Sequence, residues 1–158
     1  MAKYDDASWH YGGDYPEDLP NESAATHIGM FLAWCINNDL YSKELEEDSK
    51  EYILQVKNQE ITGARFLIDQ CDEKLLNADL NDLGNAFAKD YYEDDTAFGT
   101  AYASYADDFA DTFDNYAEAH GFEYPSFYHV EDTIENYLLL QKILDQRFTE
   151  WNEFRKGK

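Results

Sequence analysis

The stretch Asp132-Thr133-Ile134-Glu135-Asn136-Tyr137-Leu138-Leu139-Leu140-Gln141-Lys142-Ile143-Leu144-Asp145-Gln146-Arg147-Phe148-Thr149-Glu150-Trp151 sets the fold class. Tyr137, Leu140, Leu144, Phe148 and Trp151 recur at the three- and four-residue spacing of an amphipathic helix. Asp132 as N-cap with Glu135 at N3 has the form of a capping box. The basic tail Arg155-Lys156-Gly157-Lys158 suits a helix C-terminus, where the dipole favours positive charge.

Helical patterns continue upstream. From Asn21 or Ser23, both good N-caps, to about Asn38, the residues Ile28, Met30, Phe31, Leu32, Trp34, Cys35 and Ile36 make the chain apolar nearly all round. A helix of that kind is central and buried. A short helix is expected over roughly Ser42 to Val56, with Leu45, Tyr52, Ile53 and Val56 inward. Thr62 N-caps a third, with Ile61 and Phe66 at the spacing of a hydrophobic staple. A fourth helical region spans Asp79 to Ala119, interrupted by Tyr92-Glu93-Asp94-Asp95. In its second run, Phe98, Tyr102, Tyr105, Phe109, Phe113 and Tyr116 fall within an arc of about 80°. Asp107, Asp111, Asp114 and Glu118 fall within about 60° on the opposite side, with Asp108 beside them. Strand-type alternation is nearly absent. The expectation is an all-α, single-domain bundle of about five helices over residues 1–158, carrying a non-helical aromatic arm at 1–22 where Pro16 and Pro20 break any helix.

The composition narrows the function classes. Thirty-four Asp and Glu stand against 12 Lys and Arg, a formal net charge of −22, while 16% of the residues are aromatic. The aromatic content argues for a packed core rather than disorder. The charge argues against direct nucleic-acid binding and against an anionic membrane surface, both of which need clustered Lys and Arg. The longest apolar stretch, Ile28 to Ile36, is too short to span a bilayer, and Met1 to Tyr15 lacks the apolar core of a signal peptide. A cytoplasmic protein with Cys35 and Cys71 reduced is expected.

No motif names a reaction. There is no phosphate-binding glycine loop, no nucleophile paired with any of the four histidines, and no Glu-x-x-His pair or calcium loop; catalytic residues, metal ligands and cofactors are therefore expected to be none. Two features point to binding. The first is the arm Trp9-His10-Tyr11-Gly12-Gly13-Asp14, with aromatic anchors beside a His, an Asp and a glycine pair. The second is carboxylate density: from Asp79 to Glu118 there are eleven acidic residues and one basic, Lys89. Like charges at i,i+4 cost a few tenths of a kcal/mol per pair, so this stretch forgoes the support that mixed charges give. Ordinary packing of Trp9 and Tyr11, and an ordinary solvated face, are the competing readings. The candidate partner-binding set is Trp9, His10, Tyr11, Asp14, Glu93, Asp94, Asp95, Asp107, Asp108, Asp111, Asp114 and Glu118.

The stretch Lys3-Tyr4-Asp5-Asp6-Ala7-Ser8-Trp9-His10-Tyr11-Gly12-Gly13-Asp14-Tyr15-Pro16, followed by Ala25 to Trp34, resembles a family of small acidic bacterial proteins of uncharacterised function. Matching stretches at Ile61 to Lys74, Asn85 to Ala88 with Tyr91-Tyr92, and Tyr128 to Thr133 carry the resemblance over nearly the whole chain. It implies a bacterial protein and transfers no active site. Small acidic proteins of this sort look like immunity proteins of bacterial toxin systems, of the type VI secretion or polymorphic kind. The leading expectation is an immunity protein that binds a basic partner, a cognate toxin domain, and occludes its active site or substrate surface. A nucleic-acid-mimicking regulator of a DNA-binding protein, a carboxylate-rich metal-dependent enzyme, and acidity serving solubility alone remain as alternatives.

Overall fold

In the computed structural model, which describes residues 3–11 and 15–157, the chain is mostly helical and built around one enclosed helix. That helix, α1 (Thr26–Asn37), is buried at every position from Thr26 to Ile36, as its all-round apolarity requires. A 3₁₀ turn (Asn21–Ala25) leads into it, so the α-helix proper begins a few residues later than the caps Asn21 and Ser23 suggest. Around it lie α2 (Lys43–Lys57), capped by Ser42, and α3 (Gly63–Gln70), capped by Thr62 through the Arg65 amide at 3.2 Å. The crossing of α1 and α3 is unusually close. A Cβ on Gly29 would sit 2.2 Å from the Ala64 nitrogen, and one on Gly63 would sit 1.8 Å from the Gly29 oxygen. Only glycine at both positions lets the two backbones touch.

The fourth region is three segments rather than one interrupted helix: α4 (Asp82–Tyr91), α5 (Ala97–Ala101) and α6 (Tyr105–Ala119). Tyr102 leaves the helical region at φ −128° and ψ −81°, and Ser104 is extended. Phe98 and Tyr102 therefore do not share a helix with Tyr105, although their spacing keeps phase with it. The final helix, α7 (Ile134–Lys156), buries Tyr137, Leu140, Leu144 and Trp151 as expected. Its cap is Thr133, whose hydroxyl accepts from the Asn136 amide at 3.1 Å; Asp132 instead accepts the Thr62 hydroxyl at 2.6 Å. The described residues hold seven α-helices in the mostly helical architecture that the sequence predicts, the fourth region being divided into three.

The core between these helices is largely aromatic. Phe31, Trp34, Phe87, Tyr91 and Trp151 are all fully buried. Polar edges of these rings are satisfied: Trp34 Nε1 donates to Asp145 and Trp151 Nε1 to Asp90, both at 2.8 Å.

The arm is not a featureless wrap. Lys3–Asp6 forms β1, paired antiparallel with β2 (Lys74–Leu76) in the register Asp5↔Leu75 and Asp6↔Lys74. A four-residue strand is too short to show alternation, and its partner lies some seventy residues away, so nothing local announces it. Ala7–His10 then turns as a 3₁₀ helix, capped by Asp6 through the Ser8 amide at 2.9 Å.

Candidate functional site

The strand, the turn and the first turn of α1 meet at one carboxylate. Asp5 is held by the β1 register, His10 ends the 3₁₀ turn, and His27 is the second residue of α1. His10 Nε2 lies 2.8 Å from Asp5 Oδ1, and His27 Nε2 lies 3.3 Å from Asp5 Oδ2. The Asp6 amide donates to Oδ1 at 2.8 Å, and the Tyr92 hydroxyl donates to Oδ2 at 2.5 Å. Behind the histidines, His10 Nδ1 is 2.8 Å from the Tyr128 hydroxyl, and the Tyr105 hydroxyl donates to the His27 carbonyl. The two imidazoles stand edge to face, with centroids 4.8 Å apart.

These contacts fix the charge states. Burial by itself pushes the Asp5 carboxyl up, but donors from His10, His27 and Tyr92 outweigh it and hold Asp5 well below the usual carboxylate range. Burial pushes the His27 imidazole down, and Asp5 offsets this only in part, so the ring is neutral at pH 7. Tyr92 and Tyr105 are raised well above an ordinary phenol, first by burial and then by the Asp5 charge, so both remain hydrogen-bond donors. Asp5 is thus a buried negative charge that accepts from the neutral His27 ring and the neutral Tyr92 hydroxyl.

Asp5 and the two histidines form the floor of an open cavity of about 490 Å³. Tyr4, Trp9, Tyr92, Tyr105, Phe127 and Tyr128 wall it, and Glu93 and Asp94 stand at its edge. Among the described residues, no Lys or Arg lines it. Trp9 is 58% exposed, with the Lys3 ammonium 5.4 Å from its ring centroid. A second depression, lined by Asp94, Asp95, Thr96, Gly99, Thr100, Ser104 and Asp107, shares Asp94 with the first. The surface therefore runs unbroken from Trp9 across Glu93, Asp94 and Asp95 to the start of α6.

Folding brings together candidates that lie far apart in sequence. Trp9, His10, Glu93 and Asp94 line one cavity, and Asp95 and Asp107 line its neighbour. Asp111, Asp114 and Glu118 continue outward along α6, all exposed. Among the described residues, no ion pair reaches any of these seven carboxylates. Tyr11 does not join them; its hydroxyl donates to Glu73 at 2.9 Å. Asp14, with Gly12 and Gly13, lies outside the described residues.

Asp108 is a correction. It is 5% exposed, accepts from Arg147 Nε at 2.8 Å and Nη2 at 3.1 Å, and receives the Tyr91 hydroxyl at 2.7 Å. An enclosed carboxylate with its charge neutralised by Arg147 is part of the interior, not of a docking surface. Conversely, sequence spacing named neither Asp5 nor His27. The available signal was a titratable residue, His27, inside the most apolar helix of the chain.

A comparison with protein families matches residues 3–130 to the family described as Domain of unknown function (DUF7832). The chain belongs to this family. The matched span includes β1, the 3₁₀ turn, α1, α4 and α6, and so every residue of the cavity. No curated protein and no solved structure matches significantly. No helix of the described residues is long and apolar enough to cross a membrane.

Proposed function

We propose that this DUF7832 protein is an acidic binding protein that docks a basic protein partner on the face running from the cavity mouth to the outer side of α6, and that it acts as a bacterial immunity protein by covering a cognate toxin in the cytosol. The observation that carries the reading is the convergence of Trp9, Glu93, Asp94, Asp95 and Asp107 on one continuous surface, where no ion pair among the described residues reaches the four carboxylates. An exposed indole beside an open cavity is the type of group that anchors an interface, while surrounding charge steers encounter. Toxins that handle nucleic acids or nucleotides carry basic clefts, and a row of carboxylates is complementary to such a cleft. The proposed chemistry is occlusion, not turnover.

The test uses the product of the neighbouring gene as partner. The triple variant Asp107→Asn, Asp111→Asn, Asp114→Asn should associate roughly tenfold more slowly, and the wild-type rate should fall with salt. Trp9→Ala should mainly speed dissociation. Unchanged rates in both variants would remove this face from the mechanism. Competition by duplex DNA for the same partner would favour the nucleic-acid-mimic form of the same docking.

A further inference from the structure

We propose that Asp5, His10 and His27 form a binding site for a divalent first-row transition metal ion. The inference stands apart from partner docking, because it uses the cavity floor rather than its rim. One carboxylate oxygen and the two imidazole nitrogens lie within 4.8 Å of one another. Ligands bound at about 2.0–2.2 Å around one ion sit roughly 3.0–3.4 Å apart. His10 Nε2 lies 2.8 Å from Asp5 Oδ1 and His27 Nε2 lies 3.3 Å from Asp5 Oδ2, so an ion would part the first pair by a few tenths of an ångström and draw together ligand atoms that now span up to 4.8 Å.

Four further features fit. The ligands come from a strand, a 3₁₀ turn and a helix, each held by its own backbone hydrogen bonds, so the arrangement is preorganised. The donor set is two imidazoles and one carboxylate, which suits Fe(II), Zn(II) and their neighbours rather than Mg²⁺ or Ca²⁺. Outer partners are in place: Tyr128 on His10 Nδ1, and Tyr92 and the Asp6 amide on Asp5. Such partners fix ring orientation and tautomer in metal sites. In one tautomer His10 Nε2–H donates to Asp5 while Nδ1 accepts from Tyr128. On a metal the proton sits on Nδ1 and donates to the Tyr128 oxygen, with no net proton change at the ring. Finally, the exposed carboxylates Glu93 and Asp94, which line the same cavity, attract cations. The three ligands line a cavity of about 490 Å³, which would leave room for water or a small ligand on a bound ion, as in metal sites with an open position.

The experiment is titration of tag-free protein with Zn(II) in excess Mg²⁺, read by calorimetry, with the ring nitrogens followed by NMR. The expected result is one saturable site, with metal-induced shifts at the Nε2 atoms of His10 and His27 but not at His120 or His129. His10→Gln, at a partly exposed ring, should weaken binding at least about tenfold, since even outer partners cost that much. His129→Gln, whose ring faces Asp18 and Ser126, should bind as wild type. No saturable site, binding abolished by Mg²⁺, or unshifted His10 and His27 nitrogens would overturn the proposal. The NMR readout on unaltered protein decides it even if His10→Gln does not fold.

Discussion

Asp108 sits one step along α6 from Asp107, and that step takes it indoors. Its two bonds from Arg147 are charge-assisted and nearly dry, with side-chain exposures of 6% and 18%. Arg147 is raised further above its ordinary range, chiefly by the bond to Asp108. Removing one partner of such a pair leaves an uncompensated buried charge. Arg147→Ala should therefore cost about 3 kcal/mol in urea unfolding, the low end for a buried pair because the guanidinium keeps an edge in water. Loss under about 1 kcal/mol would show that the pair is effectively solvated. The sequence could not reveal this role. A helical wheel puts Asp108 near four solvated acids, and nothing local says that Arg147, 39 residues away, faces it. The same holds for Asp5 and His27, which meet only because β1 pairs with β2 and so lays the arm against the start of α1. By contrast, Trp9, His10, Glu93 and Asp94 were legible as binding candidates from composition alone, though their meeting in one cavity was not.

Among elements, the α1–α3 crossing and the α7 cap carry the sharpest consequences. Gly63→Ala forces a Cβ into the Gly29 carbonyl, and backbone cannot yield as a side-chain tip can. A loss of about 3 kcal/mol or more is expected, with thermal unfolding as the measurement. Thr133→Ala should cost about 1 kcal/mol through the lost Asn136 bond, while Thr133→Ser keeps most of it. The capping-box pattern at Asp132 and Glu135 was one residue early, because Thr133 is an equally good cap and Asp132 is drawn away to Thr62. Helix existence was otherwise well marked by apolar spacing, as at Leu45, Ile53 and Val56 in α2. Breaks were not. Phe98, Tyr102 and Tyr105 stay in phase across the interruption at 102–104, and periodicity cannot see a break that preserves phase.

At the scale of the whole molecule, a net charge of −22 repels itself wherever it is concentrated. Here, among the described residues, seven carboxylates without an ion pair lie along the face beside the cavity, a second unpaired acidic group (Glu44, Glu46, Glu47, Asp48 and Glu51) lies on α2, and Arg65, Lys57, Lys74 and Arg147 are engaged elsewhere in ion pairs. Salt should consequently stabilise the isolated protein by screening that face, and the Asp107, Asp111, Asp114 triple Asn variant should gain less from salt than wild type. Equal salt sensitivity in thermal unfolding would mean that the repulsion is spread over the surface. The most direct test of the account is hydrogen exchange on the complex with the neighbouring gene's product. Protection is expected in the 92–95 loop and the first turns of α6, with the outer face of α2 unchanged. Protection confined to α2 or α7, with that loop exchanging freely, would contradict it.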